Sequence, residues 1–366
     1  MAVLKKIVVQ DFRNIAFQEL EFSPKVNCIS GNNGEGKTNL LDAVYTLSMT
    51  KSALASSDRF NIRYGTGGFR LGGLYEMADG MLSRISVSLT SAGEKKVIRD
   101  EKAYARISSH IGLLPVVMVS PSDSSLVNDS GSERRRFINA VLSQIDREYL
   151  SAIQQYNRYL EQRNALLRDG SPYPLLQEVI DDRMEPVARA VHDARKRFIE
   201  ALSPIVSEYY RVISGGVEEV SIDYRSDLSG GTLADIFRAS AEKDRLFKYT
   251  TAGIQRDDLV FRMNGQPIRR GDSQGQQKSF LVALKFAEFD IMKGGAGVAP
   301  MLLLDDVFDK LDLRRISNLI SMVTGRGFSQ IFITDCDASR LSSLVDTITD
   351  DRAYFETAGG TFTRVG

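Results

Sequence analysis

One glycine-rich stretch decides the fold of this chain: Gly31-Asn32-Asn33-Gly34-Glu35-Gly36-Lys37-Thr38. It follows the apolar run of residues 26–30 and leads into residues 39–45, where apolar side chains recur at helical spacing. Strand, glycine-rich turn and helix therefore stand in the order that a phosphate-binding loop requires. A chance match is the alternative interpretation, and the flanking strand and helix argue against it.

The residue types in this stretch suit the β- and γ-phosphates of a nucleotide. Glycines let backbone N–H groups converge on phosphate oxygens, and the helix opening at Lys37 directs the positive end of its dipole toward them. Lys37 adds a cation, and the Thr38 hydroxyl is a candidate ligand for Mg²⁺. We expect the Lys37 side chain to lie over an open site and not in the core. The candidate nucleotide-binding residues are the whole stretch and Asn39.

Composition limits the other possibilities. The chain has 366 residues, 43% of them hydrophobic, which is enough for one large or two medium globular domains. Basic and acidic residues both number 47, so nucleic acid must be bound by a local patch and not by net charge. No signal-like N-terminus and no apolar stretch of the ~20 residues that span a bilayer is present, so we expect a cytoplasmic protein without a membrane partner. Cys28 and Cys336 lie in apolar runs and are expected to be buried thiols.

The first part of the chain has the pattern of β-structure. Apolar and polar residues alternate over residues 4–9 and 17–22, which predicts a hairpin that leads into the strand before the loop. Three further strands are predicted at residues 69–75, 82–89 and 95–99, forming an antiparallel sheet beside the nucleotide site. The short apolar run of residues 115–119 is typical of a strand covered on both faces.

The pattern becomes helical after Ser132. Apolar residues recur at helical spacing from Arg136 to Arg168 and again from about Leu175 to Ile213, which predicts two long antiparallel helices. Pro186 and Pro204 predict kinks or breaks in the second helix. We therefore expect an inserted helical arm at residues 131–214, between two parts of one head at residues 1–130 and 215–366. An ordinary helical subdomain is the alternative.

A second cluster complements the loop at residues 301–306. Four apolar residues predict a buried parallel strand that ends in Asp305-Asp306. Carboxylates there can meet Mg²⁺ beside Thr38, so Asp305 is the candidate metal ligand. Asp306 is the candidate catalytic residue that orients or deprotonates the attacking water, together with Lys37. Simple capping of the following segment is the alternative role of the two carboxylates.

A third cluster is Asp272-Ser273-Gln274-Gly275-Gln276, at the head of a long amphipathic helix. Such a helix start presents free N–H groups and the Ser273 hydroxyl to an anion. Without further context, however, Ser273 followed by Gln276 indicates a helix cap with a partial capping box and nothing more.

These clusters together resemble the ABC-type ATPase heads that SMC and related repair proteins share. The resemblance is closer to the bacterial RecF family and covers almost the whole chain. The further motifs of that family are Phe12-Arg13-Asn14, Lys51-Ser52, Glu133-Arg134-Arg135-Arg136-Phe137, residues 253–259 and Phe332-Ile333-Thr334-Asp335. Leu311-Asp312 belongs to the wider resemblance to the ABC-type heads. The resemblance implies an α/β fold: an ABC-type P-loop ATPase head with a mixed or antiparallel β subdomain and an inserted helical arm.

The resemblance also implies a function. ATP and Mg²⁺ would be the cofactors, and Ser273, with Gly275 and Gln276, would bind the γ-phosphate of ATP held by a second copy of the chain. The ATP-dependent homodimer would bind double-stranded DNA and single-strand/duplex junctions, with RecR and RecO as partners in loading RecA. Three departures from related ATPases matter. Gln255 replaces a histidine common in the family, Asp306 stands where transporters have glutamate, and residues 334–337 stand where transporters have a histidine. We expect slow hydrolysis.

Four basic clusters are candidate DNA contacts, although each one alone is most often a solvated face. They are Lys5-Lys6, Arg134-Arg135-Arg136, Arg195-Lys196-Arg197 and Arg269-Arg270. No stacking platform of interleaved aromatic residues is evident. Two other function classes stay open: an SMC-like structural clamp, for which the arm is short, and a transporter subunit, which would lack a helical arm between Thr38 and Ser273.

Overall fold

The structure, a computed structural model, describes residues 2–129, 131–170, 174–216, 218–268, 273–296, 298–307, 330–346 and 349–366. It divides into two compact units. Unit 1 comprises Met1–Asp123 and Glu288–Gly366, and unit 2 comprises Ser124–Ala287. Packing thus groups residues 215–287 with the helices that precede them. The division into a head and an inserted arm stays a prediction.

The strands of the described residues are given first, in chain order. They are β1 (Val3–Phe12), β2 (Ile15–Glu21), β3 (Val26–Ser30), β4 (Gly68–Glu76), β5 (Leu82–Thr90), β6 (Lys95–Arg99), β7 (Lys102–Ala103), β8 (Val116–Val119), β9 (Val220–Arg225), β10 (Asp258–Met263), β11 (Gln266–Pro267), β12 (Met301–Asp305), β13 (Ile331–Asp335), β14 (Arg352–Ala358) and β15 (Thr361–Arg364).

The helices of the described residues follow in the same order. They are α1 (Lys37–Met49), α2 (Ser124–Asn128), α3 (Gly131–Ile145), α4 (Arg147–Asp169), α5 (Pro174–Ser214), α6 (Leu233–Phe247), α7 (Gln274–Ala296) and α8 (Ala338–Val345). None of these helices combines the length and the apolar character needed to cross a membrane.

The first sheet of unit 1 is antiparallel, in the order β2-β1-β4-β5-β6-β7. The predicted hairpin is β1 and β2, and the three predicted strands that follow are β4, β5 and β6. Side chains alternate between core and surface along β5, as expected for a sheet with one buried face. Its buried face belongs to the same apolar core as the buried side of α1.

The second sheet of unit 1 carries the ends that build the site. Its order is β15-β14-β3-β13-β12-β8, and the strands from β14 to β8 run parallel. Every residue of β3, β8, β12 and β13 is buried, as predicted for a strand covered on both faces. Since these strands are parallel, Ser30, Asp305 and Asp335 end at the same edge of the sheet.

The two cysteines differ in exposure. Cys28 is buried in β3, as expected, and burial raises the pKa of its thiol to about 12. The prediction that Cys336 is buried was wrong, because β13 ends at Asp335 and the thiol that follows is exposed.

The long helices of unit 2 depart from the prediction in two ways. The predicted helix of residues 136–168 is divided at Asp146, whose backbone is extended and whose carboxylate accepts from the Tyr149 N–H at 2.9 Å. Asp146 thus caps α4, a role that aspartate favours over a helix interior. Conversely, α5 continues from Pro174 to Ser214 through Pro186 and Pro204, so the prediction of a break at either proline was wrong, and a kink stays a prediction.

The predicted antiparallel pairing of α4 and α5 is confirmed by two contacts. The Nε atom of Arg195 donates to the Tyr149 hydroxyl at 3.1 Å, near the start of α4. Near its end, the Nε atom of Arg163 donates to the Asp181 carboxylate at 2.8 Å. The start of α4 therefore contacts the later part of α5, and the end of α4 contacts the earlier part of α5, as in an antiparallel pair. The sheet β11-β10-β9 belongs to the same unit.

Candidate nucleotide-binding site

The glycine-rich loop joins β3 to α1 in the predicted order. It leaves the sheet at Ser30 and enters the helix at Lys37. Gly34 and Gly36 have φ angles of 86° and 108°, in the left-handed region that favours glycine. A Cβ atom on Gly36 would lie 2.8 Å from the Asn14 side chain, so the turn also needs glycine for space. The N-terminal N–H groups of α1 are thereby left to face an anion.

Lys37 differs from the expectation of a side chain over an open site. The residue is 4% exposed, and its ammonium group donates to the carbonyl oxygens of Gly31 at 2.7 Å and Asn32 at 3.2 Å. The cation therefore lies within its own loop. The ammonium group donates to these carbonyl oxygens in the same way that it can donate to phosphate oxygens of a bound nucleotide.

Asp305 and Thr38 are brought together from residues far apart in the chain. The Thr38 hydroxyl lies 2.9 and 2.8 Å from the two oxygens of the Asp305 carboxylate. The Thr334 hydroxyl donates to the same carboxylate at 2.8 Å. Burial raises the pKa of Asp305, while the hydrogen bonds from Thr334 and Thr38 oppose that shift. The result is a buried group of oxygen atoms at the edge of the sheet.

Asp306 lies at the point where the chain leaves β12. Its φ of 45° places the backbone in the left-handed region, which an aspartate tolerates better than most residues. Its N–H donates to the Thr334 hydroxyl oxygen at 3.0 Å. Thr334 therefore holds both carboxylate residues, and sequence reasoning missed this role. Its signal is the position at the end of β13, in register with Asp305.

The loop is supported by the turn between β14 and β15, which the sequence did not reveal. The carbonyl oxygen of Glu35 accepts from the Gly360 N–H at 2.9 Å and from the Thr357 hydroxyl at 3.1 Å. The Gly359 N–H donates to the Glu35 carboxylate. A Cβ atom on Gly31 would lie 2.6 Å from Thr357, so the end of β14 packs directly on the loop.

The tip of the β1–β2 hairpin also supports the loop helix. Asn39, predicted to contact nucleotide, donates through Nδ2 to the Asn14 side chain at 2.7 Å and accepts from Arg13 at 3.2 Å. Arg13 also forms a 2.9 Å ion pair with the fully buried Asp42. The Ser52 hydroxyl donates to that carboxylate at 2.7 Å. The Phe12-Arg13-Asn14 and Lys51-Ser52 motifs are thus both parts of the support for α1.

The Ser273 cluster forms the start of α7 in unit 2. The exposed Ser273 accepts from the Gln276 N–H through Oγ at 3.2 Å, and its own N–H donates to the Gln276 side chain at 3.0 Å. This is the predicted capping box in full. Gln276 also donates to Glu218 at 2.8 Å, and Gly275 lies in the first turn of α7.

Comparisons with known proteins place this geometry in a family. The RecF/RecN/SMC N terminal domain family matches residues 3–64. A DNA replication and repair protein RecF from Parabacteroides distasonis is 42% identical over 358 residues, 98% of each chain. The RecF of Bacteroides thetaiotaomicron is 40% identical over 367 residues, covering 100% of this chain and 99% of its own. The chain belongs to the RecF family of DNA replication and repair proteins.

Solved structures agree with this assignment. The structure of the recombination mediator protein RecF with ATP, from the RecFOR pathway, superposes with a TM-score of 0.89 at 28% identity, over 100% of this chain and 98% of that one. The Smc head domain of Pyrococcus furiosus superposes with a TM-score of 0.58 at 16% identity, over 100% of this chain and 96% of that one. The second likeness shows the shared fold alone, and it confirms the predicted fold class of a P-loop ATPase head.

Among the basic clusters that the sequence offers as candidate DNA contacts, one residue, Arg195, requires a correction. It is 1% exposed, and its guanidinium donates to the Asp257 carboxylate at 2.6 Å and to the Ile254 carbonyl oxygen at 2.9 Å. A buried guanidinium that is paired in this way is not available to a DNA phosphate. The prediction of Arg195 as a DNA contact was therefore wrong.

Arg134 and Arg135 are also engaged within unit 2. Arg134 forms a 2.7 Å ion pair with Asp258, and Arg135 donates to the Asp257 carbonyl oxygen at 2.7 Å. Arg136 is more exposed and lies 3.9 Å from Glu133. Arg134 and Arg135 therefore hold Asp257 and Asp258, at the start of β10, against α3.

The remaining predicted DNA contacts divide into three groups. Lys196 and Arg197 are exposed on α5. Arg269 and Arg270 lie outside the described residues, as do Leu311 and Asp312. Lys5 and Lys6 are partly exposed but form ion pairs, Lys5 with Glu76 and Lys6 with Glu19. Arg136, Lys196 and Arg197 are therefore the exposed members of these clusters among the described residues.

Proposed function

We propose that this chain is an ATP-dependent DNA-binding protein of recombinational repair and replication-fork maintenance. ATP binding closes two heads on duplex DNA or single-strand/duplex junctions, and slow hydrolysis releases them. The observation that carries the proposal is the contact between Thr38 and Asp305 next to the glycine-rich loop. The RecF relatives solved with ATP and with an ATP analogue support it.

The loop residues would hold the nucleotide. Backbone N–H groups of Gly34, Gly36 and Lys37 would meet the phosphates, and the Lys37 ammonium would exchange its carbonyl partners for phosphate oxygens. Thr38 and the Asp305 carboxylate offer oxygen atoms, the ligands that Mg²⁺ prefers. Phosphate oxygens of the nucleotide would complete such a site. The chemistry that Mg²⁺ would supply there, when bound, is neutralisation of charge on the phosphate oxygens.

Asp306 would orient or deprotonate the attacking water, and Thr334 would position it. The backbone of Asp306 is held by Thr334, which also holds Asp305. An aspartate is one methylene shorter than the glutamate of transporter ATPases, and Thr334-Asp335 stands where those proteins carry a histidine. We therefore propose that hydrolysis is slow and acts as a timer.

Ser273 would act across the dimer. We propose that the head at residues 1–130 and 215–366 pairs with a second copy, and that Ser273, Gly275 and Gln276 then contact the partner's ATP. The exposure of Ser273 at a helix N-terminus supports this role. RecR and RecO are proposed partners in loading RecA. An SMC-like structural clamp remains the second candidate, supported by the shared fold.

The test is duplex DNA binding with and without ATP, measured by fluorescence anisotropy at two salt concentrations. We expect ATP to strengthen binding of the wild-type protein, and Lys37→Met to abolish both ATP binding and this effect. Thermal melting controls for folding, because Lys37 is buried. Unchanged ATP affinity in a folded Lys37→Met variant would remove the loop from the mechanism. Equal affinity of the wild-type protein for duplex DNA with and without ATP would overturn the proposed ATP dependence.

A further inference from the structure

A cleft in unit 2 combines aromatic and basic side chains at the end of α6. Its volume is about 710 Å³, and Ile236, Ala239 and Ala252 form part of its wall. Phe247 and Tyr249 line it, and these residues are 55% and 41% exposed. Nothing in the proposed ATPase mechanism uses this cleft.

The two rings form a small platform. Their centroids are 6.0 Å apart, and their planes are tilted by 38°. The guanidinium carbon of Arg256 lies 5.7 Å from the centre of the Tyr249 ring. An exposed aromatic face beside an arginine is the arrangement on which nucleobases stack. The sequence did not predict this pair of rings, because Phe247 is the last residue of α6 and Tyr249 lies beyond the helix, so helical spacing does not relate them.

The charge around the rings is positive. Lys243, Arg245, Lys248 and Arg256 are exposed and form no salt bridge within the part of the chain that the structure describes. Of these, Lys243 and Arg256 line the cleft, together with one acid, Asp227, whose carboxylate already accepts from the Gly253 N–H at 2.8 Å. The cleft is therefore suited to an anionic ligand.

The backbone under the platform is fixed by buried hydrogen bonds. Arg163 donates to the Asp244 carboxylate and to the Thr250 hydroxyl, both at 2.8 Å. Asn164 accepts from the Thr250 N–H at 2.7 Å, and Asp244 accepts from the Thr251 N–H at 2.8 Å. The residues on both sides of Tyr249 are thus held before any ligand arrives, which lowers the entropy lost on binding.

We propose that this cleft binds single-stranded nucleic acid, with bases on Phe247 and Tyr249 and phosphates against Lys243 and Arg256. The rings favour a single strand over a duplex, whose bases are already stacked. They also favour it over an acidic peptide, which would use the charges and leave the ring faces uncovered. The site deepens the proposed DNA binding, but it needs neither ATP nor a dimer.

The experiment measures anisotropy of a labelled oligo-dT strand without nucleotide, against an abasic strand of equal length and charge. We expect the wild-type protein to prefer oligo-dT by roughly tenfold, the effect of about one stacked base. Phe247→Ala with Tyr249→Ala should remove the preference and leave weak, salt-dependent binding. Tyr249→Phe should keep it, because the ring remains. Tyr64→Ala, at an exposed tyrosine of unit 1, is the matched control and should change nothing.

Three outcomes would overturn the proposal. They are equal affinity for both strands, an unchanged preference in a folded double alanine variant, and displacement of oligo-dT by a polyglutamate peptide as effectively as by unlabelled oligo-dT. The last result would mark the cleft as a site for an acidic peptide. ATP-dependent duplex binding is measured separately on the same variants, so its failure is distinguishable from the failure of this site.

Discussion

At the scale of single residues, Thr334 is the side chain whose importance the structure reveals most clearly. Its hydroxyl donates to Asp305 and accepts from the Asp306 N–H. Thr334→Val keeps the shape but leaves both groups without that partner, so we expect a loss of about 1–3 kcal/mol in the free energy of unfolding. ATP hydrolysis should fall more than ATP affinity. Denaturant melts and turnover assays measure both, and Thr334→Ser should restore both.

Asp306 separates binding from turnover. Asp306→Asn keeps size and hydrogen-bonding capacity but removes the base, so it should bind ATP normally, hydrolyse it poorly and accumulate closed dimers. Single-turnover hydrolysis beside equilibrium ATP binding measures this difference. Hydrolysis at the wild-type rate would show that Asp306 is not the residue that activates water.

The burial of Arg195 was predictable from its position along the helix, although its partner was not. Arg195-Lys196-Arg197 reads as a charged surface cluster, yet Arg195 lies on the apolar stripe that Val191, Phe198 and Leu202 form at helical spacing. The helical period therefore indicates burial for Arg195 and exposure for its two neighbours. Its partner Asp257 could not be predicted, because 62 residues separate them.

At the scale of elements, α1 depends on a buried histidine. The Nε2 atom of His110 lies 2.8 Å from the Leu47 carbonyl oxygen in the last turns of α1, and burial lowers the pKa of His110. The unfolded state therefore binds a proton more readily than the folded state. Stability contributed by neutral His110 should be present above about pH 6.5 and be lost as the pH falls below it.

The test compares thermal melts at about pH 7.5 and about pH 5.5. His110→Gln should flatten the loss of stability toward acid relative to the wild type. His192 is the chain's other histidine and also has a lowered pKa, so His192→Gln isolates its share. A His110→Gln variant with an unchanged slope would contradict the role given to His110.

Elements were predictable where their signal is local. The strand-loop-helix order at Gly31–Thr38, the hairpin and the strand before Asp305 all follow from patterns within a few residues. The turn between β14 and β15 was not predictable as a support of the loop, since more than 300 residues separate Glu35 from Gly360. The continuity of α5 through Pro186 and Pro204 was also not predictable, because the helix propensity of proline alone argues for an interruption there.

At the scale of the whole molecule, the central claim is that ATP joins two copies of the chain. The Ser273 cap explains the start of α7 within one chain without any nucleotide. A role toward a partner's ATP therefore has to be tested apart from folding. Ser273→Arg places a bulky cation where the partner's γ-phosphate would dock, and it leaves Lys37 and Thr38 untouched. Ser273→Ala is the matched control for loss of the cap alone.

Sedimentation velocity with ATP, on the wild type and the two variants, tests this claim most directly. The account predicts an ATP-dependent dimer for the wild type, a monomer for Ser273→Arg with near-normal ATP affinity, and at most a modest change for Ser273→Ala. Weaker duplex binding should accompany the monomer, at a stated salt concentration. A Ser273→Arg variant that still dimerises with ATP would show that Ser273 is only a helix cap, and it would contradict the two-headed mechanism.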